Sequence, residues 1–261
     1  MGLNDFLGGI GAGLAGGLTS GLLGVSPGGG LVVFSVLLLG AEQHVAQGIS
    51  LVAQIPPTSL AGIRRYWEQG SRCPLRWLVL LAIGFIAGGV AGALAANLVS
   101  SATLQWSYVG YLVVLDALLV LRDRKTAETH DKPVATHDPS WSALLVVGLC
   151  AGLSSGFLGI GGGLATVVGL SSLLRVPQHQ AQLISLVLSL VPTTIPSAWI
   201  YWKSGTLASW PALAGVIVGL VAGTDIGARC ANSIDRATLR VTMIVFVSLM
   251  AIYMAFEALS Y

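Results

Sequence analysis

Charged side chains are scarce in this chain. Asp, Glu, Lys and Arg make up 9% of its 261 residues, and 54% of the residues are hydrophobic. A soluble domain carries about 25% charged residues, so this composition cannot cover the surface of a water-soluble particle. The net charge of +2 gives no indication of a nucleic-acid partner. The composition excludes a soluble protein, and the partner that it predicts is the lipid bilayer.

Clusters of reactive side chains are missing as well. The three cysteines, Cys73, Cys150 and Cys230, are scattered and odd in number, so neither a metal site nor a disulfide framework is predicted. The four histidines form no paired motif with a nucleophile or a second base. An enzyme needs such a set of groups. We therefore expect no catalytic residues, no cofactor and no bound metal.

Long apolar segments fill most of the chain. A membrane-spanning helix needs roughly 20 apolar residues, and the ten-residue alternating strands of a barrel are absent. An all-α polytopic fold is predicted, because helices satisfy their own backbone groups in lipid. The N-terminus has no basic segment and carries Asp5, so residues 1–24 are expected to remain as a membrane segment rather than a cleaved signal peptide. The long candidates are residues 5–24, 45–67, 75–99, 103–121, 141–158, 180–202, 210–231 and 238–258, with shorter apolar segments at 30–41 and 163–174.

The chain contains two copies of one unit. When residues 43–70 are compared with 178–205, an offset of 135 residues, thirteen of twenty-eight positions are identical. The shared residues include Gln, His, Pro, Tyr and Trp, which biased composition does not explain. A charged segment with two prolines lies between the copies. The predicted organisation is a first membrane repeat at 1–121, a linker at 122–140 and a second membrane repeat at 141–261.

The basic residues predict how the repeats are oriented. Lys and Arg concentrate on the cytoplasmic side of membrane proteins. If the two repeats are inverted, twelve basic residues fall on one side and one on the other; if they are parallel, the division is nine to four. We therefore predict inverted repeats, each with about four long helices and a short broken or re-entrant helix. In a bacterial inner membrane, the linker would be cytoplasmic and both termini periplasmic.

Each repeat has a glycine-rich break after its first apolar segment, at residues 24–30 and 159–163. Glycine and proline free backbone groups there, and free groups at membrane depth are tolerated only against protein or a watery cavity. Paired breaks in inverted repeats are typical of a transporter's substrate site, and the following helix N-terminus favours an anion. Close helix packing is the alternative explanation. The candidate substrate-binding residues at the breaks are Gly24, Ser26, Gly28, Gly29, Gly161, Gly162 and Gly163.

A polar stripe follows each break. Its residues are spaced three or four apart, so they share one helix face, and prolines predict a kink beside them. Neutral side chains of this kind can bind an oxyanion, or they can join helices through hydrogen bonds. The stripes are Gln43, Gln47, Ser50, Gln54 and Thr58 in the first copy, and Gln178, Gln182, Ser185, Ser189 and Thr193 in the second; all but Gln54 and Ser189 are candidate binding residues.

A few titratable side chains lie within or beside the apolar segments. His44 and His179 begin the stripe helices, where they could couple transport to protons or only anchor the helix ends. Asp225 is a third coupling candidate, but Arg229 lies one turn away and could form an ion pair with it. Asp116 is either functional or wetted at the interface. Interfacial aromatic anchors are predicted at Tyr66, Trp67, Tyr201 and Trp202.

These features resemble the TauE/SafE family of sulfite and organosulfonate transporters. The resemblance rests on Gly159-Ile160-Gly161-Gly162-Gly163 after Gly156-Phe157-Leu158, its partner after Gly21-Leu22-Leu23-Gly24, and Gly223-x-x-x-Gly227-x-Arg229. The sequence departs from the family pattern at Ser26-Pro27, where two glycines are expected, so the half-sites need not be equivalent.

Membership implies that sulfite, sulfoacetate, thiosulfate or a related organosulfonate or organic anion crosses the membrane. We expect a secondary transporter that works by alternating access, with export as the direction and proton coupling as one driving force. A passive anion channel and a non-transporting membrane subunit are the alternatives. The sequence does not predict an oligomeric state.

Overall fold

The computed structural model describes residues 2–23, 26–56, 63, 73–128, 139–191, 193–205, 208–231 and 236–260. These residues form helices joined by short connections, so the predicted all-α fold is confirmed. The first half contains α1 (Gly2–Leu23), α2 (Gly28–Leu39), α3 (Gln43–Ala53), α4 (Leu75–Ala96) and α5 (Ser101–Glu128). The second half contains α6 (Trp141–Leu158), α7 (Gly163–Val168, continued by a π-helix at Gly169–Leu173), α8 (Gln178–Leu190), α9 (Ile195–Lys203), α10 (Trp210–Ala231) and α11 (Arg236–Ser260).

Three described helices are long and apolar enough to cross a bilayer: Leu75–Ala96, Trp141–Leu158 and Trp210–Gly227. Large apolar side chains on these helices point outward, among them Leu75, Trp141 and Trp210, which are each at least 60% exposed. Such a surface suits lipid rather than water. The apolar helices therefore belong to a membrane protein.

The stripe helices are shorter than the predicted spans at 45–67 and 180–202. α3 ends at Ala53, and α8 ends at Leu190 before the chain continues into α9 at an angle of 49°. Val191, at the end of α8, has extended backbone angles, as expected for a residue before proline. The predicted kink in the second half is thus a change of helix direction. The later part of 45–67 lies outside the described residues, apart from Ile63.

The predicted linker at 122–140 begins as a continuation of α5, which ends at Glu128. The first residues after Leu121 include Arg, Lys, Ala and Glu, which are good helix formers, and the first proline comes only at Pro133. Nothing in this segment stops the helix at Leu121. The remainder, 129–138, lies outside the described residues.

Glycines join the two halves through two closely packed helix pairs. A Cβ atom at Gly88 of α4 would collide with the backbone of Leu149 in α6, and one at Gly223 of α10 would collide with the backbone of Leu14 in α1. Gly223 is the repeat equivalent of Gly88, and Leu14 is the repeat equivalent of Leu149, so the second contact is the first with the two repeats exchanged. Both helix pairs are parallel, because the residue numbers of successive partners rise together. The same relation holds for Gly84 with Leu145, Gly92 with Leu153, Gly219 with Ile10, and Gly227 with Leu18.

The glycine contacts show why the repeat matters for the fold. α1 packs on α10, which is the second-half equivalent of α4, and α6 packs on α4 itself. Glycine lets the two backbones approach where any side chain would hold them apart. The halves are consequently interlocked, and neither half forms a separate bundle. α5 and α11, which are equivalent in the repeat, also contact each other, and Ser248 donates a hydrogen bond to Asp116 Oδ2 at 2.8 Å.

Candidate functional site

The two helix breaks meet inside the protein. Gly28, at the start of α2, lies against the backbone of Ile160, and Gly163, at the start of α7, lies against Ser26. All four residues are buried. The short helices α2 and α7 therefore begin at one place, although their breaks are 135 residues apart in sequence.

The backbone conformations of the two breaks differ. Gly159, Gly161 and Gly162 have φ angles of 71°, 72° and 62°, a region that favours glycine. Pro27 is equivalent to Gly162 under the repeat offset, yet its φ is −69°. The Ser26-Pro27 departure from the family pattern thus changes the path of the chain, so the two half-sites are unequal.

Equivalent serines hold both breaks to the stripe helices. Ser50 donates to the carbonyl oxygen of Gly28 at 3.2 Å, and Ser185 donates to that of Gly163 at 3.0 Å. Each serine lies 22 residues after its glycine. Ser50 also lies 2.6 Å from the carbonyl oxygen of Gly159. Because a hydroxyl has one proton, the two carbonyl groups share it.

Gln54 closes the first break. Its Oε1 accepts a hydrogen bond from the Ser26 hydroxyl at 2.7 Å, and its Nε2 donates to the backbone oxygen of Ser50 at 2.9 Å. Gln54 belongs to the predicted polar stripe. The side chain therefore joins stripe and break, and the glycines provide the close packing that was the alternative explanation.

Gln47 and Tyr201 connect three helices. The hydroxyl of Tyr201, on α9, lies 2.7 Å from Oε1 of Gln47 and 3.0 Å from the carbonyl oxygen of Gly156 on α6. Tyr201 is fully buried, so its predicted role as an interfacial anchor is wrong. A phenol needs a hydrogen-bond partner when it is buried, and this one finds its partners at the centre. Trp202, in contrast, is 49% exposed, as an anchor would be.

The titratable candidates lie in different surroundings. His44 has both ring nitrogens engaged: Nε2 donates to the carbonyl oxygen of Ala96 at 3.0 Å, and Nδ1 lies 2.9 Å from the hydroxyl of Ser101. It therefore fastens the start of α3 to the connection between α4 and α5. Asp225 forms an ion pair with Arg229 at 2.7 Å, with exposed fractions of 52% and 78%. Each observation fits the structural alternative considered for that residue.

The remaining candidates are spread along the second half or lie outside the described part. Thr193 is buried, and Gln182 is half-buried. Gly24 and Thr58 lie outside the described residues, as do the anchor candidates Tyr66 and Trp67. The backbones of Gln178 and His179 begin α8, but their side chains also lie outside the description. The structure brings together Ser26, Gly28, Gly29, Gln47, Ser50, Gly161, Gly162, Gly163 and Ser185.

Sequence reasoning missed two tyrosines at this centre. Tyr201 recurs at the repeat offset as Tyr66, and that recurrence could have indicated a shared internal role. Tyr108, on α5, donates to the carbonyl oxygen of Gly29 at 2.6 Å. Its counterpart at the repeat offset is Met243, so no pattern in the sequence marks it. Within the described residues, no three His, Cys, Asp or Glu side chains lie close enough to hold a metal ion.

Apolar helices around a buried polar centre, where two helix breaks meet, define a membrane protein of the transporter class. A profile of the family described as "Sulfite exporter TauE/SafE" matches residues 9–254. The chain belongs to the TauE/SafE family. The resemblance inferred from the glycine motifs is confirmed.

Curated relatives are described as membrane transporters too. The chain is 24% identical over 236 residues to "Probable membrane transporter protein YdhB" of Bacillus subtilis (strain 168), covering 86% of this chain and 89% of that protein. It is 28% identical over 235 residues to a "Probable membrane transporter protein" of Xylella fastidiosa (strain Temecula1 / ATCC 700964), covering 85% of both. A protein of the same description from Xylella fastidiosa (strain 9a5c) is 29% identical over 222 residues, covering 84% of this chain and 83% of that protein.

Proposed function

We propose that this membrane transporter moves a small sulfur-containing or organic anion through the centre where the helix breaks meet. Sulfite is the first candidate because it is named in the family description; sulfoacetate, thiosulfate and other organosulfonates follow from the resemblance. The observation that carries the proposal is the contact of Gly28 with Ile160 and of Gly163 with Ser26. Two broken helices that meet in a membrane protein provide backbone groups for a solute.

The chemistry of the centre favours an anion held by neutral donors. The N-termini of α2 and α7 bring unpaired backbone amides and positive dipole ends. Hydroxyl and carboxamide groups surround them, and neither residues 26–56 nor residues 139–174 contain Lys or Arg. Neutral donors can solvate an anion without leaving a buried positive charge when the site is empty. Release is then easier than from an ion pair.

The direction of the helices supports inverted repeats. α1 and α2 are antiparallel, because Gly8 contacts Leu39 whereas Gly16 contacts Leu31. α2 and α3 are antiparallel as well, because the bend at Gly40 joins their near ends while Ser50 reaches Gly28.

The directions of α3, α4 and α6 link this comparison to the second half. α3 and α4 are antiparallel, because His44 at the start of α3 reaches Ala96 at the end of α4, whereas Gln54 after α3 and Phe85 in the first half of α4 lie against the adjacent residues Gly161 and Gly162. α4 therefore runs opposite to α1. Since α6 is parallel to α4, the equivalent helices α1 and α6 run in opposite directions. This is the arrangement from which the basic residues predict a cytoplasmic linker and periplasmic termini.

Alternating access would require the centre to open toward each side in turn. In this conformation, Ser26, Ser50 and Gln54 link the breaks by hydrogen bonds of 2.6 to 3.2 Å, as in an occluded state. The moving parts would not be the sequence repeats, because glycine contacts bind α1 to α10 and α4 to α6. We propose that these cross-repeat helix pairs move as units, with the central contacts breaking between them.

A transport assay in liposomes tests the proposal. Purified protein should release trapped sulfite, or a related organosulfonate, faster than protein-free liposomes, and Gln47→Leu should slow the release. A change of internal pH that depends on the substrate would indicate a proton-coupled carrier, whereas flux with no such change would favour the channel. If none of sulfite, thiosulfate, sulfoacetate, taurine or acetate moves, the proposal is wrong.

A further inference from the structure

Three buried polar side chains on the hairpin of α2 and α3 have atoms without a hydrogen-bond partner. They are Ser35, Gln43 and Gln47, with exposed fractions of 0%, 3% and 0%. The atoms are Oγ of Ser35, both carboxamide atoms of Gln43, and Nε2 of Gln47. The Gln43 side chain thus offers both a free donor and a free acceptor.

Several unpaired buried polar atoms in one hairpin need an explanation. Roughly 90% or more of buried polar groups in proteins are paired, because an unpaired one loses its hydrogen bonds to water without replacement. Elsewhere in the described part of the chain, unpartnered buried side-chain atoms occur singly, on Asp116, Ser171 and Thr194. Within the described residues, the hairpin of α2 and α3 alone combines several of them, so these unpaired groups reduce its stability until a ligand or water pairs them.

Two of the three side chains lie on the face of α3 that leads to the helix break, and the third lies on α2 near the bend. Gln43 and Gln47 are four residues apart, so they share a face of α3, and Ser50 continues that face to Gly159. Ser35 lies on α2, one turn before the bend, where its carbonyl oxygen accepts from the amide of Ala41. The unpaired groups therefore extend from the bend of the hairpin toward the centre.

The second half differs at the position equivalent to Ser35, whereas the side chain of Gln178, the equivalent of Gln43, lies outside the described residues. The residue equivalent to Ser35 under the repeat offset is Leu170, which is fully buried. A leucine there fills its place with hydrocarbon and offers no hydrogen bond. The two hairpins therefore differ at this position, where the first has a hydroxyl group and the second has hydrocarbon.

We propose that the interior of the first hairpin is the binding position for the transported anion, and that Ser35 is one of its ligands. The second hairpin then lines the path without holding the solute. The inference rests on the proposed function. The donors of Ser35, Gln43 and Gln47 bind the anionic oxygens, whereas Oε1 of Gln43 needs a donor, which a fully deprotonated oxyanion lacks. The ligand is therefore an oxyanion that also carries an O–H or N–H group, such as hydrogen sulfite or a hydroxy- or amino-sulfonate.

Binding to the purified protein tests the position. Titration calorimetry with sulfite near pH 6, where hydrogen sulfite is present, should give a dissociation constant that Ser35→Ala and Gln43→Leu each raise about 10-fold or more, because each variant removes a hydrogen bond to a charged group. Ser154→Ala is the matched control, because that hydroxyl donates to Ala151 within its own helix. Unchanged affinity in both hairpin variants would show that the anion binds elsewhere and would overturn the assignment.

A pair of ligands tests the chemistry. 2-Hydroxyethanesulfonate and ethanesulfonate have the same charge and differ by one hydroxyl. The wild type should bind the hydroxylated compound about 10-fold more tightly, and Gln43→Leu should abolish that preference, which a merely destabilised protein would keep. Equal affinities in the wild type would refute the donor requirement. If the wild type binds neither these compounds nor sulfite, the proposed function fails before the hairpin assignment is reached.

Discussion

The hydroxyl of Ser50, on α3 of the first half, lies 2.6 Å from the carbonyl oxygen of Gly159, in the break of the second half. This contact joins residues 109 positions apart. Ser185, the repeat equivalent of Ser50, instead donates to Gly163 within its own half. Among the described residues, which do not include Gly24, the repeat equivalent of Gly159, Ser50 links the repeats and Ser185 fastens a helix inside its own repeat.

This difference predicts unequal effects of removing the two hydroxyls. Ser50→Ala should lower the free energy of unfolding by about 1–3 kcal/mol, because the carbonyl group of Gly159 lies outside a helix and loses a partner. Ser185→Ala should cost about 0.5–1.5 kcal/mol, since the carbonyl group of Gly163 also accepts within α7. Thermal unfolding of both variants in the same detergent measures the difference. Equal losses would contradict the cross-repeat role of Ser50.

The glycine contacts predict that a single methyl group can separate a helix pair. Gly88→Ala should destabilise the protein by about 1–3 kcal/mol, because its Cβ would collide with the backbone of Leu149. Gly110→Ala is the control, since a Cβ at Gly110 meets nothing within 4 Å. It should change the stability by less than about 0.5 kcal/mol. If both variants melt at the wild-type temperature, the helix pair is looser than described.

Tyr201 allows the hydroxyl to be removed while the ring is kept. Tyr201→Phe should weaken sulfite binding several-fold, because the Gln47 carboxamide loses the partner 2.7 Å away that holds it. It should also lower the stability by about 1–3 kcal/mol. Trp202→Phe, at a residue that is half exposed, should change neither quantity by much. Wild-type affinity in Tyr201→Phe would mean that Gln47 does not need this support.

Asp225 tests whether an intramembrane carboxylate drives coupling. Its ion pair with Arg229 joins residues i and i+4 on an exposed helix face, and such pairs contribute about 0–1 kcal/mol. Asp225→Asn should therefore leave both the stability and the pH dependence of sulfite flux close to the wild type. A flux that no longer responds to a pH gradient in this variant would instead assign proton coupling to Asp225.

The sequence pattern predicts much of the architecture, but it does not predict the contacts where the two helix breaks meet. Hydrophobic length predicted the helical membrane fold, and the residues shared at the 135-residue offset identified Ser50 and Ser185 as equivalent positions. Tyr201 was misread because an aromatic residue at a helix end fits both an interface and a core. Tyr108 has no marker in the sequence, because its partner at Gly29 is set by how distant helices cross. The unpaired carboxamide atoms of Gln43 could not be predicted either, because pairing depends on which side chains of other helices lie within reach.

The orientation of the chain in the membrane can be tested by cysteine labelling. Inverted repeats with the basic residues inside place the N-terminus and the 122–140 linker on opposite sides. In a variant in which Cys73, Cys150 and Cys230 are replaced by Ala, Asn4→Cys should react with an impermeant maleimide added outside intact spheroplasts. Thr136→Cys should react only after the membrane is opened, which also controls for expression. Labelling of both cysteines from outside would place linker and N-terminus on the same side. The first half would then cross the membrane an even number of times, and the inverted arrangement, with the opposed directions of α1 and α6, would have to be abandoned.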